Sequence, residues 1–167
     1  VAVSDQFNID TGTLNAWSML VTPVHFDCTV FAPIVVLGST KTVTGTFMVG
    51  GTVEGFACAE PILAAMGKAV IHAGASGAGQ AAKICNNMIL GATMISTCEA
   101  FTLADKLGLD LQTFFDISSK ASGQSWSMTA YCPVPGVGPQ SPADNGYQGG
   151  FAAALMLKDL KLAMEAA

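Results

Sequence analysis

Two polar side chains stand out in a mostly apolar segment, Lys83 and Asn87 in the run GASGAGQAAKICNN. Their four-residue spacing places both side chains on one face of a helix. A lysine among apolar neighbours loses part of its hydration, which lowers its pKa and lets it exchange a proton near neutral pH. An amide one turn away can hold a carboxylate or a hydroxyl group. Spacing alone nevertheless favours a structural explanation, with a lysine that extends its ammonium to solvent and a capping or solvated asparagine.

Three glycines precede this pair, Gly74, Gly77 and Gly79. Glycines at the start of a helix allow the backbone to approach a ligand closely. Their order is G-x-x-G-x-G, which differs from the G-x-G-x-x-G fingerprint of dinucleotide-binding turns. The glycines alone are therefore a weak functional signal.

The elements that must position these residues follow from hydrophobic periodicity. Residues 23–31, 45–51 and 68–74 have the pattern of strands, and residues 52–67 that of a helix. This alternation predicts a sheet covered by helices. Residues 80–107 contain no proline and predict one long helix, whose apolar side chains on nearly all sides indicate burial on most sides.

The remainder of the chain predicts two further helices around a long loop. Asp110 is a candidate N-cap for a short helix at residues 111–120. Residues 121–148 are rich in proline and glycine and predict a long ordered loop, a type of segment that is often functional. Residues 149–167 predict a final helix.

Composition excludes several classes of function. Hydrophobic residues make up 51% of the 167-residue chain and charged residues 11%, against about 25% charged in a typical soluble domain. Apolar surface is therefore expected to meet a partner. The net charge of −5 and the scattered basic residues argue against a nucleic-acid surface. No apolar run approaches the roughly 20 residues of a membrane span.

The cysteines and histidines do not predict a metal site. The five cysteines form an odd set without a CxxC pair, so neither a zinc site nor a disulfide framework is expected. We interpret them as reduced thiols of a cytosolic type of compartment. His25 and His72 lie in apolar segments without a partner at ligand spacing. The cysteines are Cys28, Cys58, Cys85, Cys98 and Cys132.

Several segments resemble, in the same order, the β-hydroxyacid dehydrogenases. The run G-x-x-G-x-G-x-x-x-K-x-x-N-N is similar to the catalytic signature of that family. The segments GTFMVGG, SGQSWS, YCPVPGV and YQGGFAAALMLKDLKLA also resemble it, so the similarity extends over residues 45–167. This context turns the lysine and asparagine from a structural pair into candidate catalytic residues.

The resemblance implies an α/β fold followed by an all-α region. Residues 1–74 would form the carboxy-terminal part of a Rossmann-like NAD-binding domain. Residues 75–167 would form a helical substrate and dimerisation domain, incomplete at its end, with a long interdomain helix. Complete members begin with a strand and a G-x-G-x-x-G turn. The chain is therefore expected to lack the cofactor-binding half.

The resemblance also implies a reaction. The enzyme would oxidise 3-hydroxyisobutyrate to methylmalonate semialdehyde in valine degradation, by hydride transfer to NAD, with NADP left open. Lys83 would transfer the hydroxyl proton and Asn87 would orient the substrate. The other implied contacts are with substrate for Gly77, Phe151 and Asp159, and with cofactor for Lys158, Asn8 and Phe151. A homo-oligomer through the helical domain is implied as well.

Other interpretations stay open. Relatives carry a D-A-P-V-S-G-G loop that holds the substrate carboxylate, whereas the corresponding run here, FAPIVVLG, offers no hydroxyl. Composition alone favours a solvated pair for Lys158 and Asp159, and Trp126 and Tyr131 are at least equally well explained as anchors of the loop. The protein could be a different β-hydroxyacid dehydrogenase, of the tartronate semialdehyde reductase type, or a non-catalytic module of the same fold. The expected compartment is a bacterial cytoplasm or a mitochondrial matrix.

Overall fold

The computed structural model describes residues 45–167. The strand expected at residues 23–31, the FAPIVVLG run and Asn8 lie outside the described residues. The elements in chain order are strand β1 (Thr46–Gly50), helix α1 (Val53–Ala64), strand β2 (Ala69–Gly74), helix α2 (Ala78–Lys106), helix α3 (Leu111–Ser118), helix α4 (Trp126–Thr129), a turn of 3₁₀ helix (Pro142–Asn145) and helix α5 (Ala153–Ala166).

The two strands form a parallel pair with Met48 opposite Ile71. Parallel neighbours need a crossover connection, and α1 provides it. This helix begins where the Thr52 hydroxyl accepts a hydrogen bond from the Gly55 amide at 3.1 Å. The predicted strand, helix and strand over residues 45–74 are confirmed, although α1 ends at Ala64, before the expected Gly67.

Helix α2 leaves the sheet through a close contact that requires glycine. A Cβ at Gly79 would lie 2.3 Å from the Met48 carbonyl oxygen, so a larger residue would separate the helix from β1. The helix then continues for 29 residues, which confirms the prediction of one long helix.

Burial along α2 differs from the prediction. One stripe of the helix is buried, including Asn87, Thr97 and Phe101. The apolar side chains of Ile89 and Ile95 are 62% and 60% exposed. The expectation of burial on most sides is therefore wrong for the chain taken alone, because apolar composition does not reveal which side of a helix has a neighbour.

A small core holds the region after α2 together. Phe101 meets Phe114 edge to face, with ring centroids 5.0 Å apart, and lies in a buried cluster with Met128, Cys132 and Val137. Helix α3 begins as expected at Asp110, whose carboxylate accepts a hydrogen bond from the Thr113 amide at 2.8 Å.

The segment predicted as a long loop contains two short helical turns, α4 and the 3₁₀ helix. The carboxylate of Asp144 accepts hydrogen bonds from the amides of Gly136 at 2.6 Å and Ser141 at 2.8 Å. These backbone hydrogen bonds stabilise its charged form and lower the pKa of Asp144. The segment is ordered, as predicted, because side chains satisfy its backbone.

A short parallel sheet followed by helices confirms the predicted fold class, a Rossmann-like tail followed by a helical region. The chain divides into two compact units after Lys83. Within residues 45–167, no helix combines the length and apolar character needed to cross a membrane.

Candidate functional site

Helix α2 carries both candidate catalytic residues. Lys83 is half-buried, and Asn87 follows one turn later with a residue exposure of 4%. Both belong to one continuous helix. Helical geometry therefore places them on the same face, as the spacing predicts.

Asn87 is fixed by a carboxylate from α5. Its Nδ2 donates a hydrogen bond of 2.5 Å to Oδ2 of Asp159, a residue that is only 5% exposed. Since an ionised carboxylate only accepts hydrogen bonds, the amide nitrogen of Asn87 must face Asp159. The carbonyl oxygen then points elsewhere. Asn87 is thus neither a cap nor a solvated side chain in this structure.

The second oxygen of the same carboxylate is also occupied. Lys158 Nζ donates to Asp159 Oδ1 at 2.5 Å, with the lysine side chain 50% exposed. A solvated pair describes the lysine but not the aspartate. An exposed ammonium contributes little to stability through such a pair, whereas a buried carboxylate without partners would be costly. Asp159 therefore joins a buried amide to an ammonium that reaches solvent.

Two side chains of α5 lie against a glycine of α2 near this cluster. A Cβ at Gly91 would lie 2.9 Å from a Leu160 methyl carbon and 3.1 Å from the Met156 sulfur. Gly91 lies one turn after Asn87, and Leu160 directly follows Asp159 in the sequence. The absence of a side chain at Gly91 therefore leaves room for Leu160 and Met156 beside the hydrogen bond from Asn87 to Asp159.

Phe151 belongs to an aromatic group in the loop region. Its amide donates to the Tyr131 hydroxyl at 2.7 Å, and Tyr131 stacks on Trp126 with ring centroids 5.2 Å apart. Phe151 and Tyr131 are half-buried, whereas Trp126 is exposed. Tyr131 thus anchors the start of the α5 segment, as one of its two sequence interpretations predicts.

Gly77 lies immediately before α2 in the unit that ends at Lys83. Its φ of +90° is a conformation that other residues rarely adopt. A Cβ built there would meet no atom of residues 45–167 within 4 Å. The Asn87–Asp159–Lys158 cluster belongs entirely to the other unit, residues 84–167.

The spacing rules did not single out Asn86. Its Nδ2 donates to Oδ1 of Asn87 at 3.0 Å. Adjacent helical residues point about 100° apart, so spacing rules do not predict contact between them. The NN pair in the motif was the only available signal. Ser127, with 0% exposure, was also missed, and its hydroxyl lies 3.0 Å from the Thr93 hydroxyl.

The cysteines partly follow the prediction. Cys85, Cys98 and Cys132 are free thiols, whereas Cys58 is disulfide-bonded. The expectation of reduced cysteines is thus confirmed for three of them and wrong for Cys58, because sequence spacing does not show which sulfurs approach in space. In the part of the chain from residue 45 onwards, no cluster of three or more His, Cys, Asp or Glu side chains could hold a metal ion.

Comparison with a family model supports the resemblance found in the sequence. The model described as "NAD-binding of NADP-dependent 3-hydroxyisobutyrate dehydrogenase" matches residues 77–167, more than half of the chain. The matched region contains α2 and α5, and with them the whole Asn87–Asp159–Lys158 cluster.

Individual relatives agree with this family. The chain is 51% identical over 128 residues to 3-hydroxyisobutyrate dehydrogenase of Pseudomonas aeruginosa, covering 77% of this chain and 43% of the relative. It is 49% identical over 131 residues to the mitochondrial 3-hydroxyisobutyrate dehydrogenase of Homo sapiens, covering 78% and 39%.

A solved structure gives the same result. The chain is similar to 3-hydroxyisobutyrate dehydrogenase of Mycobacterium tuberculosis with L-serine, with 52% identity and a TM-score of 0.69, covering 72% of this chain and 42% of that one. The chain thus spans about two fifths of the length of the relatives that it matches.

Proposed function

Since the chain belongs to the NAD-binding family of 3-hydroxyisobutyrate dehydrogenases, we propose that its protein oxidises 3-hydroxyisobutyrate to methylmalonate semialdehyde with NAD. This reaction would serve valine degradation. The observation that carries the proposal is the buried hydrogen bond from Asn87 to Asp159, with Lys158 on the other carboxylate oxygen. The relatives' names support the reaction, and the L-serine named with the Mycobacterium tuberculosis structure is itself a β-hydroxy acid.

Lys83 is the proposed proton acceptor. Bound NAD would supply the hydride acceptor for the hydroxyl-bearing carbon of the substrate. The neutral amine of Lys83 takes the hydroxyl proton, so the alcohol becomes an aldehyde and the amine becomes an ammonium. A half-buried position one turn before Asn87 on α2 places the amine beside the proposed substrate-orienting residue, which suits this role.

Asn87 is the proposed substrate-orienting residue. Asp159 holds one N–H of the amide, which leaves the second N–H and one carbonyl lone pair for a substrate hydroxyl or carboxylate. A buried amide that cannot rotate loses no conformational entropy of its own when it binds the substrate. Such fixed geometry contributes a large part of enzymatic rate enhancement. Asp159, Phe151 and Gly77 are proposed to contribute to substrate binding as well.

Lys158 fits a role in cofactor binding. Its ammonium uses one donor for Asp159 and is half exposed, so two further N–H donors can reach an oxygen of a bound dinucleotide. Phe151 and Asn8 are proposed as further cofactor contacts. The proposed cofactor is NAD. The family that matches this chain is described with both NAD and NADP, and comparing the rates with each cofactor decides between them.

The organisation of the protein is proposed on the same basis. Residues 1–74 form the end of a Rossmann-like NAD-binding domain, and residues 75–167 belong to a helical substrate and dimerisation domain. The exposed apolar side chains of α2 support a homo-oligomer through this domain. The proposed compartment is a bacterial cytoplasm or a mitochondrial matrix, in keeping with the word mitochondrial in the names of several relatives.

A substrate panel tests the function. The protein in its natural length is incubated with NAD or NADP and with 3-hydroxyisobutyrate, glycerate or 6-phosphogluconate, and reduced cofactor is followed by its absorbance. We expect the highest kcat/KM for 3-hydroxyisobutyrate with NAD. Preference for glycerate would instead indicate the tartronate semialdehyde reductase type. Absence of turnover with all three, together with absence of NAD binding, would indicate a non-catalytic module.

A further inference from the structure

The side chain next to Asn87 in the sequence completes a hydrogen-bonded chain through the cluster. Asn86 Nδ2 donates to Asn87 Oδ1 at 3.0 Å, and Asn87 Nδ2 donates to Asp159 Oδ2 at 2.5 Å. Lys158 donates to the other carboxylate oxygen. In each of these hydrogen bonds a nitrogen donates and an oxygen accepts, so the orientations of both amides agree with one another.

We propose that Asn86 is a positioning residue that acts on the substrate through Asn87. This inference rests on the proposed dehydrogenase function and assigns to it a residue that need not touch the substrate. Asp159 fixes the nitrogen end of the Asn87 amide, and Asn86 fixes its oxygen end. With both ends held, the amide presents its remaining N–H and lone pair in one orientation.

The hydrogen bond from Asn86 has an electronic consequence as well as a geometric one. A donor at the carbonyl oxygen of an amide polarises the group, which strengthens the hydrogen bonds that its N–H groups donate. The effect is greatest where water is scarce, and Asn87 is only 4% exposed. Asn86 itself is exposed. Its replacement therefore leaves the buried stripe of α2 unchanged.

Kinetics of Asn86 variants in the natural-length protein test the proposal. Asn86→Ala removes the donor and introduces a better helix former, so folding should be retained. We expect kcat to fall about threefold to tenfold, the effect of losing one net hydrogen bond, with the KM for NAD unchanged. Asn86→Asp should be slower still, because its carboxylate would face the Asn87 carbonyl oxygen. Asn86→Gln, which keeps the donor, should recover part of the rate.

Ser96→Ala is the matched control. Ser96 is also exposed on α2, and its hydroxyl donates only to the Thr93 carbonyl of its own helix. This variant should keep the wild-type kcat. If Asn86→Ala matched Ser96→Ala in kcat while the wild type was active, the positioning role would be wrong and the dehydrogenase function would stand.

A spectroscopic measurement keeps the inference testable without turnover. In protein labelled with ¹⁵N-asparagine, the side-chain NH₂ signals of Asn87 are identified by their loss in Asn87→Ala. We expect these signals to shift in Asn86→Ala and to stay in place in Ser96→Ala. Unmoved signals would overturn the inference. A shift accompanied by no turnover in the wild type would contradict the proposed function while supporting the contact.

Discussion

Two carboxylates in the region after Lys83 show how the same chemical group can serve different purposes. Asp144 lies exposed in the loop and accepts hydrogen bonds from the backbone amides of Gly136 and Ser141. Asp159 is buried on α5 and accepts hydrogen bonds from the side chains of Asn87 and Lys158. One carboxylate accepts hydrogen bonds from the main chain, and the other accepts them from two side chains of the candidate site.

The two sets of partners indicate that Asp144 stabilises the loop, whereas Asp159 belongs to the candidate site. Backbone amides in a loop have no partner in a helix or sheet and need other hydrogen-bond acceptors. Asp144 provides such an acceptor in a segment rich in proline and glycine. A buried carboxylate that restrains an amide and an ammonium does little for the backbone. Removing one partner of such a cluster leaves polar groups unpaired in the interior, so variants of Asp159 need a stability measurement beside the activity measurement.

The largest expected effect is on activity, which should depend on Asp159 and hardly on Asp144. Asp159→Ala releases the Asn87 amide and the Lys158 ammonium. We expect kcat/KM for 3-hydroxyisobutyrate to fall about 100-fold, as small displacements of orienting groups can do. Asp144→Ala should keep most of its activity. Activity is measured by NADH formation. If kcat/KM fell by a similar factor in both variants, the distinction between a site carboxylate and a loop carboxylate would be wrong.

The second prediction concerns the stability of the loop. Asp144→Ala leaves the amides of Gly136 and Ser141 without their acceptor. We expect a lower urea midpoint with an unchanged m-value, since the extent of surface exposed on unfolding stays the same. Ser119→Ala provides the control, because the Ser119 hydroxyl is exposed and makes only a 3.5 Å contact with the Asp116 carbonyl. An unchanged midpoint for Asp144→Ala would contradict the role of this carboxylate.

The third prediction is a pH dependence of stability. Backbone hydrogen bonds lower the pKa of Asp144 below its ordinary value of 3.8. Hydrogen bonds from Thr113 lower that of Asp110 in the same way. The stabilisation from a lowered carboxyl pKa is complete above the ordinary value and is lost as pH falls through the folded value. The wild type should therefore lose stability below about pH 4.

Asp144→Asn provides the comparison for that pH dependence. Because it lacks the titrating carboxylate, its urea midpoint should fall less than that of the wild type between pH 7 and pH 3. A midpoint that falls equally in both proteins would show that the Asp144 carboxylate contributes no pH-dependent stability.

The smallest expected effect is a difference in thiol reactivity. Cys132 is 1% exposed, and burial raises the pKa of its thiol, whereas Cys85 is an exposed free thiol on α2. Only thiolates react quickly with iodoacetamide. Mass spectrometry after native labelling should therefore show Cys85 modified before Cys132. In Asp144→Ala, where the loop is less restrained, Cys132 should react faster than in the wild type.

Much of the fold could be predicted from the sequence because its signals are local. The Asp110 cap, the parallel strands and the long α2 helix follow from capping chemistry and from periodicity within short windows. The two short helical turns inside residues 121–148 were not predicted, although serines cap them locally, Ser125 for α4 and Ser141 for the 3₁₀ helix. A longer contact adds to the second turn, because the Ser141 hydroxyl donates to the Cys132 carbonyl at 2.7 Å.

The candidate site was only partly predictable for the same reason. Lys83 and Asn87 share a helix, so their spacing is informative, and the family resemblance supplied the other candidates. The hydrogen bond from Asn87 to Asp159 joins residues 72 positions apart, and no local pattern contains it. The contact from Asn86 to Asn87 was not predicted, because the side chains of adjacent helical residues are expected to point in different directions. The proposed roles of Lys83, Gly77, Phe151, Lys158 and Asn8 stay predictions.

Turnover of a Lys83 variant tests the central claim most directly. In the natural-length protein, Lys83→Ala should lower kcat for 3-hydroxyisobutyrate oxidation by about 10²- to 10⁴-fold, the range attributed to a general acid or base. NAD binding and the urea midpoint should change little. Wild-type turnover in this variant, with folding intact, would contradict the assignment of proton transfer to Lys83.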